Sequence, residues 1–321
     1  MEKILEIQRR FFRKEKNQFL HAVEEKLTEY GYEWERKSFG KIVKSVNLET
    51  KCDRPEFIFI AHYDTGAIVP FWLSWLSKLL GVNSIASTAA IVILMLILSK
   101  TSAYWHVISY LYIIFRVSFL SFLIPNKKNL DDNTSGVIAL LELAKRCKEN
   151  GINRAKFIFV DNEEWGLFGS RAHAKYFKRE RLISPRCKII SIDCVGGRGE
   201  IPLIICNGKS EYAEFFQKEI QKEFELCESV RMALPFSDNY SFRGYGALNI
   251  SFVNRAKIPV GYYISNIHSS KDSEINLAKI EKLTDVLTDA VKNIKLNRRQ
   301  TNSCPLQQTS GGPVDGPPLE L

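Results

Sequence analysis

Phe57-Ile58-Phe59-Ile60-Ala61-His62-Tyr63-Asp64-Thr65 is the stretch that decides the fold. Five apolar residues run unbroken and then give way to a histidine and a carboxylate. A short apolar run bounded by polar residues reads as a strand buried on both faces. The same form returns at residues 157–160, followed by Asp161, Glu163 and Glu164, and at residues 189–192, followed by Asp193. Helical spacing of apolar residues covers residues 2–30, 135–148, 166–177 and 275–296, and residues 34–48 are strand-like. Strands alternating with helices predict an α/β sheet packed on both faces. Ligands of such sheets bind just beyond the carboxyl ends of the strands. Three polar clusters, far apart in sequence, are therefore expected to meet.

The residue types in these clusters suit metal chemistry. At a strand end, residues i and i+2 point the same way, so Asp64 can hydrogen-bond the His62 imidazole and set its tautomer. Asp131-Asp132-Asn133-Thr134-Ser135-Gly136 precedes a helix, and a carboxylate there can bridge two metals. In Asp161-Asn162-Glu163-Glu164-Trp165-Gly166 adjacent side chains diverge, so one glutamate can bind metal while the other faces the reacting water. Asp193-Cys194-Val195-Gly196-Gly197 and His268-Ser269-Ser270-Lys271-Asp272 complete the set. An acidic residue after a strand is, taken singly, more often a helix cap. Three such clusters with a histidine are poorly explained that way. His21 and His173, in helical stretches, read as surface or core histidines; His106 sits near a turn of an apolar block. Cys194 reads as a buried thiol.

The ordered set H-x-D, D-x-x-S-G, E-E-W-G, D-x-V-G and a late histidine resembles the M28 family of co-catalytic zinc aminopeptidases. The resemblance covers residues 55–295 apart from the apolar block. It implies a mixed, largely parallel central sheet with helices on both faces. It also implies that His62, Asp132 and Asp193 hold one metal and that Asp132, Glu164 and His268 hold the other. Asp132 rather than Asp131 lies three residues before Ser135, and the family often has a cis peptide after it. Glu163 matches the general base, and Asp64 supports His62. This donor set suits two Zn²⁺, with Mn²⁺ or Co²⁺ as substitutes. Two such ions acidify a shared water and polarise a carbonyl; Glu163 would move the proton. The expected substrate is a peptide with a free N-terminus. Two departures stand out. Asn239 replaces the histidine of S-D-H-x-x-F, which bears on substrate contacts, and His268-Ser269-Ser270-Lys271-Asp272 replaces H-T-P-x-D. Glutaminyl cyclases share the fold and use a single zinc. Retention of His62 favours two metals. A non-catalytic membrane scaffold or peptide-binding module is the alternative of a different class.

Composition looks ordinary for 321 residues: 45% hydrophobic, 25% charged, net charge +9. The charges are unevenly spread, however. Between Gly66 and Pro125 only Lys78, Lys100 and Arg116 are charged. Residues 79–99 carry none, enough for a helix of about 31 Å at 1.5 Å per residue. Residues 103–124 form a second apolar limb after the polar Lys100-Thr101-Ser102 turn. Residues 70–80, with Trp72, Trp75 and Lys78, read as an interfacial helix. Both ends of the block must return to one metal site, so a hairpin is expected, with lipid contact through residues 70–124. Basic residues on either flank place the catalytic domain on the cytoplasmic side. A helical lid or a homo-oligomer interface is the rival reading of the block. The chain thus divides into a discontinuous catalytic domain (1–65 and 126–297), an inserted helical hydrophobic hairpin (66–125) and a disordered tail (298–321). No secretory signal is read at residues 1–16, and the seven scattered cysteines read as reduced thiols. Lys and Arg are interleaved with acids and no nucleic-acid motif accompanies them, so no nucleic-acid partner is expected.

Overall fold

The strand quoted above lies inside a nine-stranded sheet. The computed structural model describes residues 1–80, 109, 120–231, 237–257 and 261–302. In chain order the strands are β1 (Trp34–Phe39), β2 (Ser45–Thr50), β3 (Phe57–His62), β4 (Ala155–Val160), β5 (Lys188–Ile192), β6 (Ile201–Cys206), β7 (Glu228–Arg231), β8 (Leu248–Arg255) and β9 (Tyr262–Tyr263). Their spatial order is β1-β2-β4-β3-β5-β8-β6-β7, with β9 paired to β8. The central strands β4, β3, β5 and β8 run parallel, and the antiparallel pairs lie outside them. The sheet is therefore mixed and parallel at its centre, as expected.

Period-two alternation explains how one strand feeds two cores. On β3, Phe57, Phe59 and Ala61 join a large cluster with Phe157 and Ile190. Ile58 and Ile60 face the other way, toward Ile158, Val160, Ile189 and Phe177. The first cluster is covered by helices α2 (Arg13–Glu29) and α4 (Gly136–Glu149), by α6 (Ala213–Gln221) and by α7 (Leu277–Asn302). The second is covered by α5 (Phe168–Glu180) and the helical turn Asp238–Tyr245.

Three readings of the sequence change. The expected first helix is two: α1 (Glu2–Glu6) and α2, with residues 7–12 between them. That segment leaves the helix because Arg10 is drawn into the core, its backbone N–H donating to Thr65 Oγ1 at 2.9 Å. Glu15 then accepts the Phe12 backbone N–H and starts α2. Residues 34–48 form not one strand but most of the β1–β2 hairpin, turned at Gly40 with φ +82°. The last helix runs on to Asn302, past the start of the expected tail; residues 303–321 lie outside the described set.

Where an interfacial helix is expected the structure has a helix, α3 (Phe71–Leu80), with Trp75 exposed. The two apolar limbs and His106 lie almost wholly outside the described residues. What is described is the root of the block. Ala67 and Pro125 form an antiparallel bridge, Ile68 N–H donates to Ile124 O, and Asn126 N–H donates to Gly66 O. Leu120–Leu123 form a helical turn whose Leu120, Phe122 and Leu123 are exposed. Among the described residues no helix is long and apolar enough to cross a membrane.

Candidate metal centre

His62 ends β3, Asp161 follows β4 and Asp193 follows β5. Because His62 is in register with Val160, the three carboxyl ends finish side by side. Asp132 arrives from the turn Leu130–Ser135 that leads into α4, and His268 from the loop after β9.

Two groups of donors form around one shared residue. His62, Asp132 and Asp193 offer ligand atoms within 4.8 Å of one another, and so do Asp132, Glu164 and His268. Asp132 turns one oxygen to each group. Oδ1 lies 3.4 Å from His62 Nε2, while Oδ2 lies 3.3 Å from His268 Nε2. Asp193 Oδ1 is 3.5 Å from His62 Nε2, and Glu164 Oε2 is 3.7 Å from His268 Nε2. Every metal-site residue named from the sequence is thus brought together, Glu163 among the lining residues of the same cavity. Asp131, set aside as a ligand, faces away: its Oδ1 accepts the N–H groups of Gly196 and Gly197 and the Ser135 hydroxyl. The Asp132–Asn133 peptide is cis, as expected.

The surroundings hold these donors in place. Asp272 accepts the backbone N–H of Asp131 at 2.8 Å and of Asp132 at 3.1 Å. Asn133 Oδ1 accepts the N–H groups of Gly136 and Cys194, while its Nδ2 donates to Ile192 O. Ser237 donates to Asp193 Oδ2 at 3.0 Å. Asp64 does more than expected. It lies 3.6 Å from His62 Nδ1, beyond a direct hydrogen bond. Its oxygens accept instead the N–H groups of Glu163 at 3.0 Å and Glu164 at 3.3 Å, so it ties the His62 strand to the glutamate turn. Gly66 lets the site close: a Cβ there would lie 2.7 Å from both Glu164 Oε2 and His268 Nδ1.

The electrostatics are those of a site for cations. Burial pushes Glu164 up to about 8, with Asp132 and Asp64 adding to it and His268 and His62 opposing. Burial likewise raises Asp238 to about 7, and Glu163 well above the usual carboxylate range, with Glu164, Asp238 and Asp193 contributing. Burial disfavours charge on His62, yet Glu163, Asp132, Asp193 and Asp64 hold its pKa well above the ordinary value. Buried Glu164 Oε1, His62 Nδ1 and both Asp238 oxygens have no hydrogen-bond partner among the described residues. Imidazole nitrogens and carboxylates in two converging groups are a donor set that fits Zn²⁺.

Sequence reasoning missed several supporting residues. Arg10 is fully buried, donating to Tyr63 O at 2.5 Å and to Thr134 Oγ1 at 2.9 Å, between the first two motifs. Lys16 on α2 reaches Asp161 and Asn162 at 2.6 and 2.7 Å. Basic residues in an amphipathic helix carry no signal of burial, so neither could have been found from spacing. Asn239 lies in the core, donating to Ile205 O, and does not line the cavity. Cys194 is buried, its thiol 3.2 Å from Asp193 Oδ1. His173 is a core histidine and His21 a surface one. The six described cysteines are free thiols.

The sequence profile described as "Peptidase family M28" matches residues 123–291, more than half of the chain. The chain belongs to peptidase family M28. An M28 chain with this donor set is a metallopeptidase. Solved structures of similar fold include LapA aminopeptidase of Legionella pneumophila, 13% identical with TM-score 0.57, over 91% of this chain and 71% of that one. A Zn-dependent exopeptidase from Parabacteroides distasonis is 14% identical with TM-score 0.62, over 91% and 95% of the two chains. The glutaminyl cyclase of Tannerella forsythia is 14% identical with TM-score 0.63, over the same shares. Among curated protein sequences no match is found.

Proposed function

We propose that the chain is a two-metal, aminopeptidase-like hydrolase that removes residues from peptides with a free N-terminus. The observation that carries this is Asp132, whose two oxygens face His62 and His268 in two separate donor groups. His62, Asp132 and Asp193 would hold one ion, and Asp132, Glu164 and His268 the other, Zn²⁺ being the expected metal and Mn²⁺ or Co²⁺ substitutes. Bound there, the ions supply Lewis acidity toward water and the scissile carbonyl. Glu163 lines the cavity, and its backbone is fixed at both ends: the N–H by Asp64, the carbonyl by the N–H groups of Gly166 and Leu167. So held, its carboxylate takes the proton of the attacking water and returns it to the leaving amine. The same cavity is also lined by the apolar side chains of Leu167, Ile205, Val253 and Ile264.

Metal analysis combined with turnover of aminoacyl amides tests the reading. We expect two ions per chain, and a loss of about 10²- to 10⁴-fold in kcat for Glu163→Gln with metal retained. Full activity in that folded, metallated variant overturns the base assignment. The likeness to a glutaminyl cyclase supports a second reading, a single-zinc transferase. One ion per chain and ammonia release from N-terminal glutamine would establish it.

We also propose that the enzyme is membrane-associated through residues 70–124, with its catalytic domain in the cytoplasm. Both ends of the block are hydrogen-bonded together, which supports a hairpin with an even number of crossings. Around that root, Trp75, Leu123, Ile124, Trp165 and Phe12 are exposed, and Arg9, Lys127 and Lys128 line one adjoining surface pocket. Exposed aromatic and aliphatic side chains beside basic ones suit a headgroup boundary.

A further inference from the structure

The metal donors form one wall of a cavity of about 350 Å³. Its remaining lining is largely apolar, with Leu167, Ile205, Val253, Tyr262, Ile264 and Ile267. One lining residue does not belong with either wall. Arg171 is the only lysine or arginine among the described residues that line the cavity. It is solvent-accessible and makes no side-chain hydrogen bond or ion pair among the described residues. Its position relative to the glutamates is set by the backbone. Leu167 N–H donates to Glu163 O at 2.8 Å, and Arg171 N–H donates to Leu167 O at 2.9 Å. The Arg171 backbone therefore lies one helical turn beyond the residue whose N–H is bonded to the Glu163 carbonyl, and its side chain lines the same cavity as the glutamates. Arg171 and the metal donors thus line one cavity.

We propose that Arg171 is a specificity residue that receives a carboxylate of the substrate. This rests on the hydrolase reading above and names its substrate class: short peptides that carry a carboxylate close to the scissile amide. A planar guanidinium offers two parallel N–H donors, which match a carboxylate in geometry as well as charge. The carboxylate can come from the C-terminus of a dipeptide or tripeptide, or from an acidic side chain beside the scissile bond. The chemistry is the same, and matched substrates separate the sources.

The test measures kcat/KM on two pairs: leucyl-alanine against leucyl-alaninamide, and a glutamyl anilide against the glutaminyl anilide. Wild type, Arg171→Leu and Arg171→Lys are compared. We expect the wild type to favour the acid about tenfold or more in one pair, the size of a charge-assisted hydrogen bond. The first pair reports a C-terminal carboxylate and the second a side-chain carboxylate. Arg171→Leu should bring that ratio to within about twofold of unity, and Arg171→Lys should keep part of it, because charge remains while the fork is lost. Equal turnover of acid and neutral forms in both pairs, or a preference that survives Arg171→Leu, overturns the proposal. Calorimetric titration of the same pairs into Glu163→Gln, with and without Arg171→Leu, separates the two readings. If nothing is hydrolysed, the hydrolase reading falls, while a carboxylate preference in binding, present or absent, still decides the role of Arg171.

Discussion

At the scale of single residues, the site depends on atoms that are missing as much as on those present. Gly66 is not among the glycines with positive φ, so its importance is steric. Gly66→Ala would put a methyl group 2.7 Å from Glu164 Oε2 and from His268 Nδ1. Both donors must shift, and we expect metal affinity to fall about 10- to 100-fold, the cost of disturbing ligand orientation. Competition with a chelator measures it. A second residue-scale prediction concerns His173. Burial lowers its pKa against the opposing pull of Glu49, with Asn47 Nδ2 at 3.0 Å from Nδ1 and Glu49 Oε2 at 2.6 Å from Nε2. Burial alone would raise Glu49, but His173 and Lys156 outweigh it and lower it to about 2. Both pKa values are depressed in the folded protein, so the unfolded chain takes up protons first as pH falls. Stability is full above the ordinary values, begins to drop below the histidine's 6.5, and is lost further from 4.5 toward 2. Glu49→Gln should flatten the acid limb seen by denaturant titration and cost about 3 kcal/mol at pH 7, because Lys156 stays buried without its counter-charge. An unchanged acid limb would count against this account.

At the scale of elements, the break between α1 and α2 is a structural tie. The Arg10 guanidinium bonds Ile7 O, Tyr63 O and Thr134 Oγ1 and stacks 4.3 Å over Phe19. One side chain therefore joins the N-terminal segment, the end of β3 and the turn that carries Asp132. Burial lowers even its pKa, to about 10, although Asp64, Asp132 and Asp272 favour the charge. Arg10→Leu should destabilise the domain by about 2–3 kcal/mol, because buried carbonyls lose their donors. Arg10→Lys should not restore it, since an ammonium lacks the planar fork. Thermal unfolding of the three proteins decides the matter. The element scale also shows where sequence reading stopped. Strands β3, β4 and β5 were legible because each is an apolar run ended by acidic or imidazole residues. The β1–β2 turn was not, because residues 34–48 alternate poorly and Gly40 alone marks the reversal. The break at residues 7–12 was invisible for a different reason: it is imposed by a partner 55 positions away, Thr65.

At the scale of the whole molecule, the apolar block is fastened to the active site. Val69 N–H donates to the carbonyl of His268 at 2.9 Å, and Gly66 lies between Glu164 and His268. On the membrane-associated reading proposed above, replacing residues 70–124 by a short linker should move the protein from the membrane pellet to the supernatant. It should also change the ranking of peptide substrates, because the rim beside His268 is rebuilt. Identical kinetics on every substrate would show that the block takes no part in substrate choice. The sequence by itself determined the α/β class and the interruption of the domain between its first two motifs, and its resemblance to M28 motifs named the seven residues proposed for the site. The class and the interruption rest on local patterning, the site set on an ordered series of motifs. Only the tertiary structure decided which oxygen of Asp132 faces which histidine, that Asp64 grips the glutamate turn, that Arg10 is buried and that Arg171 opens into the cavity. Each of these is a meeting of residues distant in the chain or a side-chain direction. Both are set by packing of the whole domain, which no local pattern encodes.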